Sequence, residues 1–534
     1  MSAQFSPEAD DTAGLRFDGV SAHQPTGPKI IVAKGPPGTG KTTWLVDQFE
    51  LEAEKAIQGA ASLGFMPFSN AAVDEAKRKM RLRGTVDMGA LDHVRTMHSA
   101  ACSLTRTNPA GVMNDAQRAA FRSEQFPSMS REVAKRYDSL VDRGRRLRLS
   151  GHQLLGSLSA VEAARVDGQL LQRFYAAYLA RLTQKRLITF EEVLVKVLMT
   201  GVRPDIEVLF VDEAQDLSVT GALVVGLWGS RCSGVYVAGD DDQSIYGFAG
   251  GDGSYFQQLY RDHGGTTLEQ SHRVPRRVHA LACKVIEQVK NRLVTPYEPT
   301  EHDGEVIRGV TVSQLPRLLD GDTNLVLARD GWALGDVKKV LKAANRSFAE
   351  VSGESARADR GLRDALKTLE ALRLGVDLRA SEVRSIVERR RKPAERQLLE
   401  RLAEQGGSFV SASWLLQEGA GQLLAEASAR RYNDALGKLN RREQGVLQKL
   451  MGQGDAGREI TLSTIHSAKG AEADVVAIVP DRSVTSFSAS ENDVGVYEDE
   501  LRLLYVAMTR ARRRLILLAP LDPTRAFRGF RFPL

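Results

Sequence analysis

The stretch Ile30-Ile-Val-Ala-Lys-Gly35-Pro-Pro-Gly-Thr-Gly40-Lys41-Thr42-Thr43 decides how the rest of the chain is read. The apolar run Ile30 to Ala33 predicts a short buried strand, a glycine-rich turn follows, and a helix begins near Lys41. The turn has the spacing GxxxxGK[ST]. Its glycines let backbone N–H groups turn inward around phosphate oxygens, and the helix adds the positive end of its dipole. Gly35, Pro36, Pro37, Gly38, Thr39, Gly40, Lys41, Thr42 and Thr43 are therefore the candidates for holding nucleotide phosphates. Lys41 is expected to reach the β- and γ-phosphates, and Thr42 to bind Mg2+.

A second apolar strand lies near Leu63 to Pro67, with a helix from about Ala71. Short buried strands alternating with helices predict an α/β fold with parallel sheets. The next strand-like run, Val208 to Val211, leads into Asp212-Glu213. Asp212 is placed to hold Mg2+, and Glu213 to orient and deprotonate an attacking water. Acidic residues often end strands, so this pair is weak by itself; beside a phosphate loop it favours hydrolysis over binding alone. Another strand is expected at Val235 to Ala238. A second α/β pattern starts after about Gln270, with strands near Asn324 to Leu327 and Val475 to Val479. Segment 107–185, rich in Arg, Ala, Leu and Glu, and segment 357–453, highly charged, interrupt these patterns and read as helical insertions.

A chain of 534 residues is too long for a single core. Its net charge of +6 suits a phosphate-bearing partner, although charge says little by itself. Cys102, Cys232 and Cys283 form no CxxC pair, which argues against zinc and iron–sulfur sites and for reduced thiols. The first residues are acidic and polar, without the apolar core of a signal peptide, and no run reaches the length of a membrane span. A cytoplasmic location and no membrane partner are expected.

Four further segments carry a specific resemblance. They are Gly239-Asp-Asp-Asp-Gln243-Ser-Ile-Tyr246-Gly-Phe248, Leu268-Glu-Gln-Ser271-His272-Arg273, Thr464-Ile-His466-Ser-Ala-Lys469-Gly470-Ala-Glu472 and Tyr505-Val-Ala-Met-Thr509-Arg510-Ala511. With the phosphate loop and Asp212-Glu213-Ala-Gln215-Asp216, they resemble the UvrD/Rep/PcrA family of superfamily 1 helicases, in the family's order. Taken singly, each segment could be a turn, a helix start or a basic helix.

The resemblance implies two RecA-like domains. They would comprise 28–106 with 186–270, and 271–356 with 454–534, after a polar leader at 1–27. It implies that Gln243 senses the γ-phosphate and that Arg273 and Arg510 come from the second domain to the triphosphate. Planar guanidinium groups suit charge spread over phosphoryl oxygens. His272 stands where the family has an adenine-stacking tyrosine, so base selectivity is open; Gln24 is the nearest glutamine ahead of the loop. Gly470 and Glu472 fall on the nucleotide side, with Glu472 as acceptor of a sugar or backbone hydrogen bond.

For the nucleic-acid track, the resemblance of Phe68-Ser69-Asn70-Ala-Ala72 and Thr96-Met-His98-Ser99 points to Ser69, Asn70, Thr96 and His98. Tyr246, Phe248, Thr464 and His466 complete the set, with Phe248 in a base-stacking place. The basic runs Arg143 to Arg148 and Arg389 to Lys392 are usual for solvated faces, with duplex contact the weaker reading.

The expectation is thus an ATP- and Mg2+-dependent translocase on single-stranded DNA that opens a duplex junction, 3′ to 5′ by resemblance. Alternatives are an ATP-switched DNA-binding protein that displaces proteins without unwinding, and an RNA helicase of the same superfamily. Protein partners are not legible. The second α/β pattern ends close to Leu534, so an appended nuclease is not expected.

Overall fold

A computed structural model describes residues 28–56, 59–84, 91–146, 149–158, 163–164, 166–247, 251, 253–350, 365–366, 368–390, 395–405, 408–437, 459–484, 486–487 and 494–527. The leader 1–27 with Gln24, the ring of Phe248, Arg148, and Arg391 with Lys392 lie outside them. The chain divides into two compact units. The first runs to His272 and includes Asn291–Glu298; the second comprises Arg273–Lys290 and the chain from Pro299.

The first unit is built on five strands: β1 (Lys29–Lys34), β2 (Leu63–Met66), β3 (Val208–Val211), β4 (Gly234–Gly239) and β5 (Gly265–Thr267). They pair in the order β2-β3-β4-β1-β5, and every pairing is parallel. Alternation along β3 shows why both faces are covered. Leu209 and Val211 join one cluster, with Val193, Val197, Val224 and Trp228 from helices Phe190–Thr200 and Val219–Gly229. Val208 and Phe210 join the other, with Leu45, Val46 and Phe49 of α1 (Lys41–Lys55) and Ala76 and Met80 of α2 (Asn70–Arg83). Phe210 stacks on Tyr236 at 4.8 Å. Burying a side chain of this size contributes about 2–3 kcal/mol.

Helices Asp115–Gln125, Arg131–Arg146 and Gly168–Lys185 have their own core, centred on Phe121, Tyr137, Phe174 and Tyr178. They occupy the segment read from sequence as an insertion.

The second unit has six parallel strands in the order β6-β13-β12-β7-β11-β8. These are β6 (Glu305–Val310), β7 (Thr323–Ala328), β8 (Ala349–Glu350), β11 (Glu459–Thr464), β12 (Ala473–Val479) and β13 (Ala511–Leu518). The short pair β9 (Leu378–Arg379) and β10 (Phe409–Val410) belongs to a separate helical core containing Leu369, Val383, Ile386, Leu398 and Leu423. Within that core, Arg390 is fully buried and bonds Glu395 (2.8 Å) and Glu426 (2.5 Å). This member of the basic run 389–392 is thus committed to the interior, because a buried guanidinium needs carboxylates around it. No described helix is long and apolar enough to cross a membrane.

Candidate functional site

A parallel sheet sends all its carboxyl ends to one edge, where ligands bind. The order β3-β4-β1 therefore places the loops after Val211, Gly239 and Lys34 side by side. After β1 the chain turns through Gly38 (φ 79°) and Gly40 (φ 86°), left-handed values that suit glycine, and enters α1. No side chain caps that helix start. A Cβ on Gly35 would lie 2.5 Å from Thr39 Oγ1 and 2.7 Å from Lys41 Cγ, so any larger residue would push these two loop side chains out of place. A glycine cradle leading into an uncapped helix N-terminus fits a polyphosphate.

Lys41, nearly buried, donates to the Gly35 carbonyl at 2.8 Å, holding its ammonium at the loop. Thr42 Oγ1 donates to Asp212 Oδ2 at 2.6 Å. Hydroxyl and carboxylate together form an oxygen donor set of the kind Mg2+ takes. Burial, and then the neighbouring Glu213, push the Asp212 carboxyl up to about 6. Glu213 itself sits at φ 54°, a left-handed conformation that costs a non-glycine residue energy and clusters at functional sites. Thr43 Oγ1 accepts from Lys79 of α2 at 2.9 Å.

A hydrogen-bonded chain joins the acidic pair to the Gln243 turn. Gln215 Nε2 donates to Glu213 (2.5 Å), Asp240 N–H donates to Gln215 Oε1 (2.9 Å), and Gln243 Nε2 donates to Asp240 Oδ2 (2.7 Å). Gln215 was not read as a site residue; only the folded sheet shows that it spans two loops. His272 is drawn onto the phosphate loop through its backbone, donating to the Gly38 carbonyl at 2.9 Å, and its side chain is exposed. Ser271 Oγ and Tyr297 Oη both donate to the Pro37 carbonyl at 2.9 Å. No local sequence signal marks Tyr297 for this place.

Of the residues expected on the nucleic-acid track, Ser69 and Asn70 are exposed with Phe68 at the start of α2. Ser69 caps that helix, accepting from Ala72 N–H, and Thr96 caps α3 (Met97–Leu104), accepting from Ser99 N–H. Both hydroxyls thus hold helix starts. Phe68, 43% exposed, packs against Tyr246 with ring centroids 5.2 Å apart. It belongs to a quoted segment, and only the fold pairs it with Tyr246. Phe68→Ala and Tyr246→Ala should each weaken binding of a labelled single strand by about 1–3 kcal/mol. Unchanged anisotropy titrations would exclude the pair from the track.

His98 meets Phe190 edge-on at 5.3 Å. Burial pushes its pKa down from 6.5 to about 4, so the ring is neutral at pH 7 and offers no charge to a phosphate. The folded pKa lies below the unfolded one, so the folded protein binds fewer protons in between. Stability from this site is full above pH 6.5 and falls as pH drops to about 4, by up to about 3 kcal/mol. In denaturant titrations across that window, His98→Asn should lose that share of acid sensitivity; parallel pH profiles would refute the burial argument.

In the second unit, Glu472 accepts from both Arg273 and Arg512. Burial works against its charge, but Arg273 and Arg512 hold the carboxyl below its ordinary range. Glu472 is therefore held in an ion-pair cluster here. Gly470 takes φ 85° in the turn just ahead of it. Ala473 N–H donates to the Arg510 carbonyl (3.1 Å), which sets this turn alongside Arg510. Arg510 is 3% exposed, and its Nε donates to the Val506 carbonyl at 2.9 Å. Thr464 ends β11, with Oγ1 accepting from Ser467 N–H at 3.3 Å; His466 opens the turn that follows.

The glycine loop entering α1, the Thr42–Asp212 pair and the strand-end Glu213 define a P-loop nucleoside triphosphatase with two parallel-sheet units. Residues 18–264 match the UvrD/REP helicase N-terminal domain, and residues 421–520 match the UvrD-like helicase C-terminal domain. The chain belongs to the UvrD-like helicases.

Among its relatives is a protein of Mycobacterium tuberculosis (strain ATCC 25618 / H37Rv) named ATP-dependent DNA helicase UvrD2. It is 25% identical over 551 residues, covering 92% of this chain and 76% of the relative. A Staphylococcus aureus (strain Mu50 / ATCC 700699) protein named ATP-dependent DNA helicase PcrA is 22% identical over 286 residues, 50% of this chain and 39% of the relative. A Rickettsia felis (strain ATCC VR-1525 / URRWXCal2) protein named probable DNA helicase II homolog is 29% identical over 156 residues, 28% of this chain and 24% of the relative.

Proposed function

We propose that the protein is an ATP-dependent DNA helicase that moves 3′ to 5′ on single-stranded DNA and opens the duplex at a junction. The observation that carries this reading is the Thr42–Asp212 bond beside Lys41, Glu213 and Gln243 at one edge of the first sheet. Gly35 to Thr43 hold the triphosphate of ATP, with Lys41 on its β- and γ-phosphates. Held by Thr42 and Asp212, magnesium would neutralise phosphate charge. Glu213 takes the proton of a water as its oxygen bonds the γ-phosphorus. The bond from that phosphorus to the bridging oxygen breaks, leaving ADP and inorganic phosphate.

Gln243 reads the γ-phosphate and is linked to Glu213 through Asp240 and Gln215. Arg273 and Arg510 supply transition-state charge from the second RecA-like domain, with Gly470 and Glu472 nearby. Closure over ATP and reopening after hydrolysis drive stepping. Ser69, Asn70, Thr96, His98, Tyr246, Phe248, Thr464 and His466, joined by Phe68, line the strand. The domain limits assigned are 28–106 with 186–270, and 271–356 with 454–534, with insertions at 107–185 and 357–453.

Unwinding of 3′-tailed and 5′-tailed duplexes, with and without ATP, tests this reading. Strand separation that needs ATP and a 3′ tail is expected. Displacement of streptavidin without strand separation would favour the ATP-switched binding protein, and stimulation by single-stranded RNA rather than DNA the RNA helicase.

A further inference from the structure

Lys34 ends β1 with its side chain fully out of solvent. A charge in such a place is costly unless paired. Its Nζ donates to the Asp241 carboxylate and to the Leu293 carbonyl (2.5 Å), and lies 3.6 Å from Asp240 Oδ1. Burial disfavours the ammonium, but Asp240, Asp242 and Asp241 outweigh it and raise the lysine above its ordinary value. Asp241 Oδ2 also accepts from Leu293 N–H (2.7 Å) and from Gln257 Nε2 (2.9 Å). Asp242 takes a two-pronged contact from Arg292, with Nε to Oδ1 at 2.7 Å. Asp240 is the residue that also holds Gln243 and, through Gln215, Glu213.

Leu293 and Arg292 belong to the segment Asn291–Glu298. It packs with the first unit, while the residues just outside it, Lys290 and Pro299, belong to the second. Within the second unit, Lys290 N–H is fixed by Glu498 (3.0 Å) and Thr300 N–H by the Val274 carbonyl (2.9 Å). Near its other end the segment touches the phosphate loop, through Tyr297 and the Pro37 carbonyl. It is therefore a strap whose two ends continue into elements held by the second unit. Its first residues, Arg292 and Leu293, are pinned to Asp242 and Asp241 of the Gln243 turn.

We propose that Lys34 is a positioning residue: with Asp241 it fastens the strap 291–298 to the ends of β1 and β4. Displacement arriving along the chain at Lys290 and Pro299 then acts on the Gln243 turn and the phosphate loop. An apolar residue could fill the same space, and a buried ion pair commonly gives little net stability over such a filling. What the apolar residue lacks is a directed bond to the Leu293 carbonyl and the two carboxylates. The benefit is geometric, and it should appear in turnover rather than in melting temperature. The inference rests on the roles given above to Glu213 and Gln243.

The test compares ATP hydrolysis, with saturating oligothymidylate and without it, and thermal unfolding of the full chain. The proteins are the unaltered protein, Lys34→Met, Lys34→Met/Asp241→Asn and Tyr297→Phe. Lys34→Met leaves buried carboxylates unpaired and lowers the melting temperature. The double variant removes both charges, and its asparagine oxygen still accepts from Leu293 N–H. It should regain the melting temperature while its DNA-stimulated kcat stays down by about tenfold or more, with KM for ATP within about threefold.

A double variant that regains both melting temperature and stimulated kcat overturns the proposal, as it would show a purely structural pair. Should the double variant not regain its melting temperature, Tyr297→Phe decides, since it removes only one hydroxyl. A stimulated kcat several-fold lower with unchanged melting supports the strap, and an unchanged kcat overturns it. Absence of DNA-stimulated hydrolysis in the unaltered protein would instead sink the proposed function.

Discussion

Lys41→Ala should abolish ATP turnover, with kcat lower by on the order of 10³-fold or more under saturating single-stranded DNA. The ammonium sits at the head of the phosphate loop, held by the Gly35 carbonyl at 2.8 Å and almost closed to solvent. Charge-assisted bonds to phosphate are about twice as strong as neutral ones and gain further where water is excluded. Removing the cation that the proposed function places on the β- and γ-phosphates therefore takes away about 4 kcal/mol or more of transition-state stabilisation. Alanine suits the first position of a helix, so α1 should persist and circular dichroism should be unchanged. Turnover within about tenfold of the unaltered protein would place the phosphates elsewhere.

Glu213→Gln is expected to lower kcat by about 10²–10⁴-fold, the usual share of a general base, while ATP binding is retained. The substitution keeps shape and an oxygen for Gln215 but removes the ability to take a proton. Fluorescent-nucleotide titration and single-turnover hydrolysis separate the two effects. The variant should hold ATP and accumulate in whatever DNA-binding state ATP favours. Loss of nucleotide affinity in step with kcat would instead mean that Glu213 is needed to form the site. Its φ of 54° is then the feature to pursue, since a strained backbone persists only where its surroundings enforce it.

Much of the fold was legible because its signals are local. Apolar runs of four or five residues, ended by glycine, proline or an acidic pair or running into a glycine turn, mark β1, β2, β3 and β4, and the structure places each end within a residue of that reading. The second sheet was less legible. Two of its six strands were read, and β13 was obscured because Arg512, Arg513 and Arg514 occupy its first half, exposed or half-buried at the sheet's end. β8 is only two residues long and leaves no pattern to find.

Sequence by itself determined the chemistry on offer: a phosphate-sized glycine loop with Lys41 and Thr42, and a strand ending in Asp212-Glu213. These depend on neighbouring residues, and backbone geometry at glycine and helix ends is local physics. Tertiary structure alone decided which distant groups share a space. Thr42 and Asp212 meet across 170 residues, and Lys34 and Asp241 across 207, because the order β3-β4-β1 sets those strand ends together. A lysine before a phosphate loop reads as an exposed charge until the sheet buries it. No linear pattern encodes the burial of this charge, since the compensating carboxylates come from elsewhere in the chain.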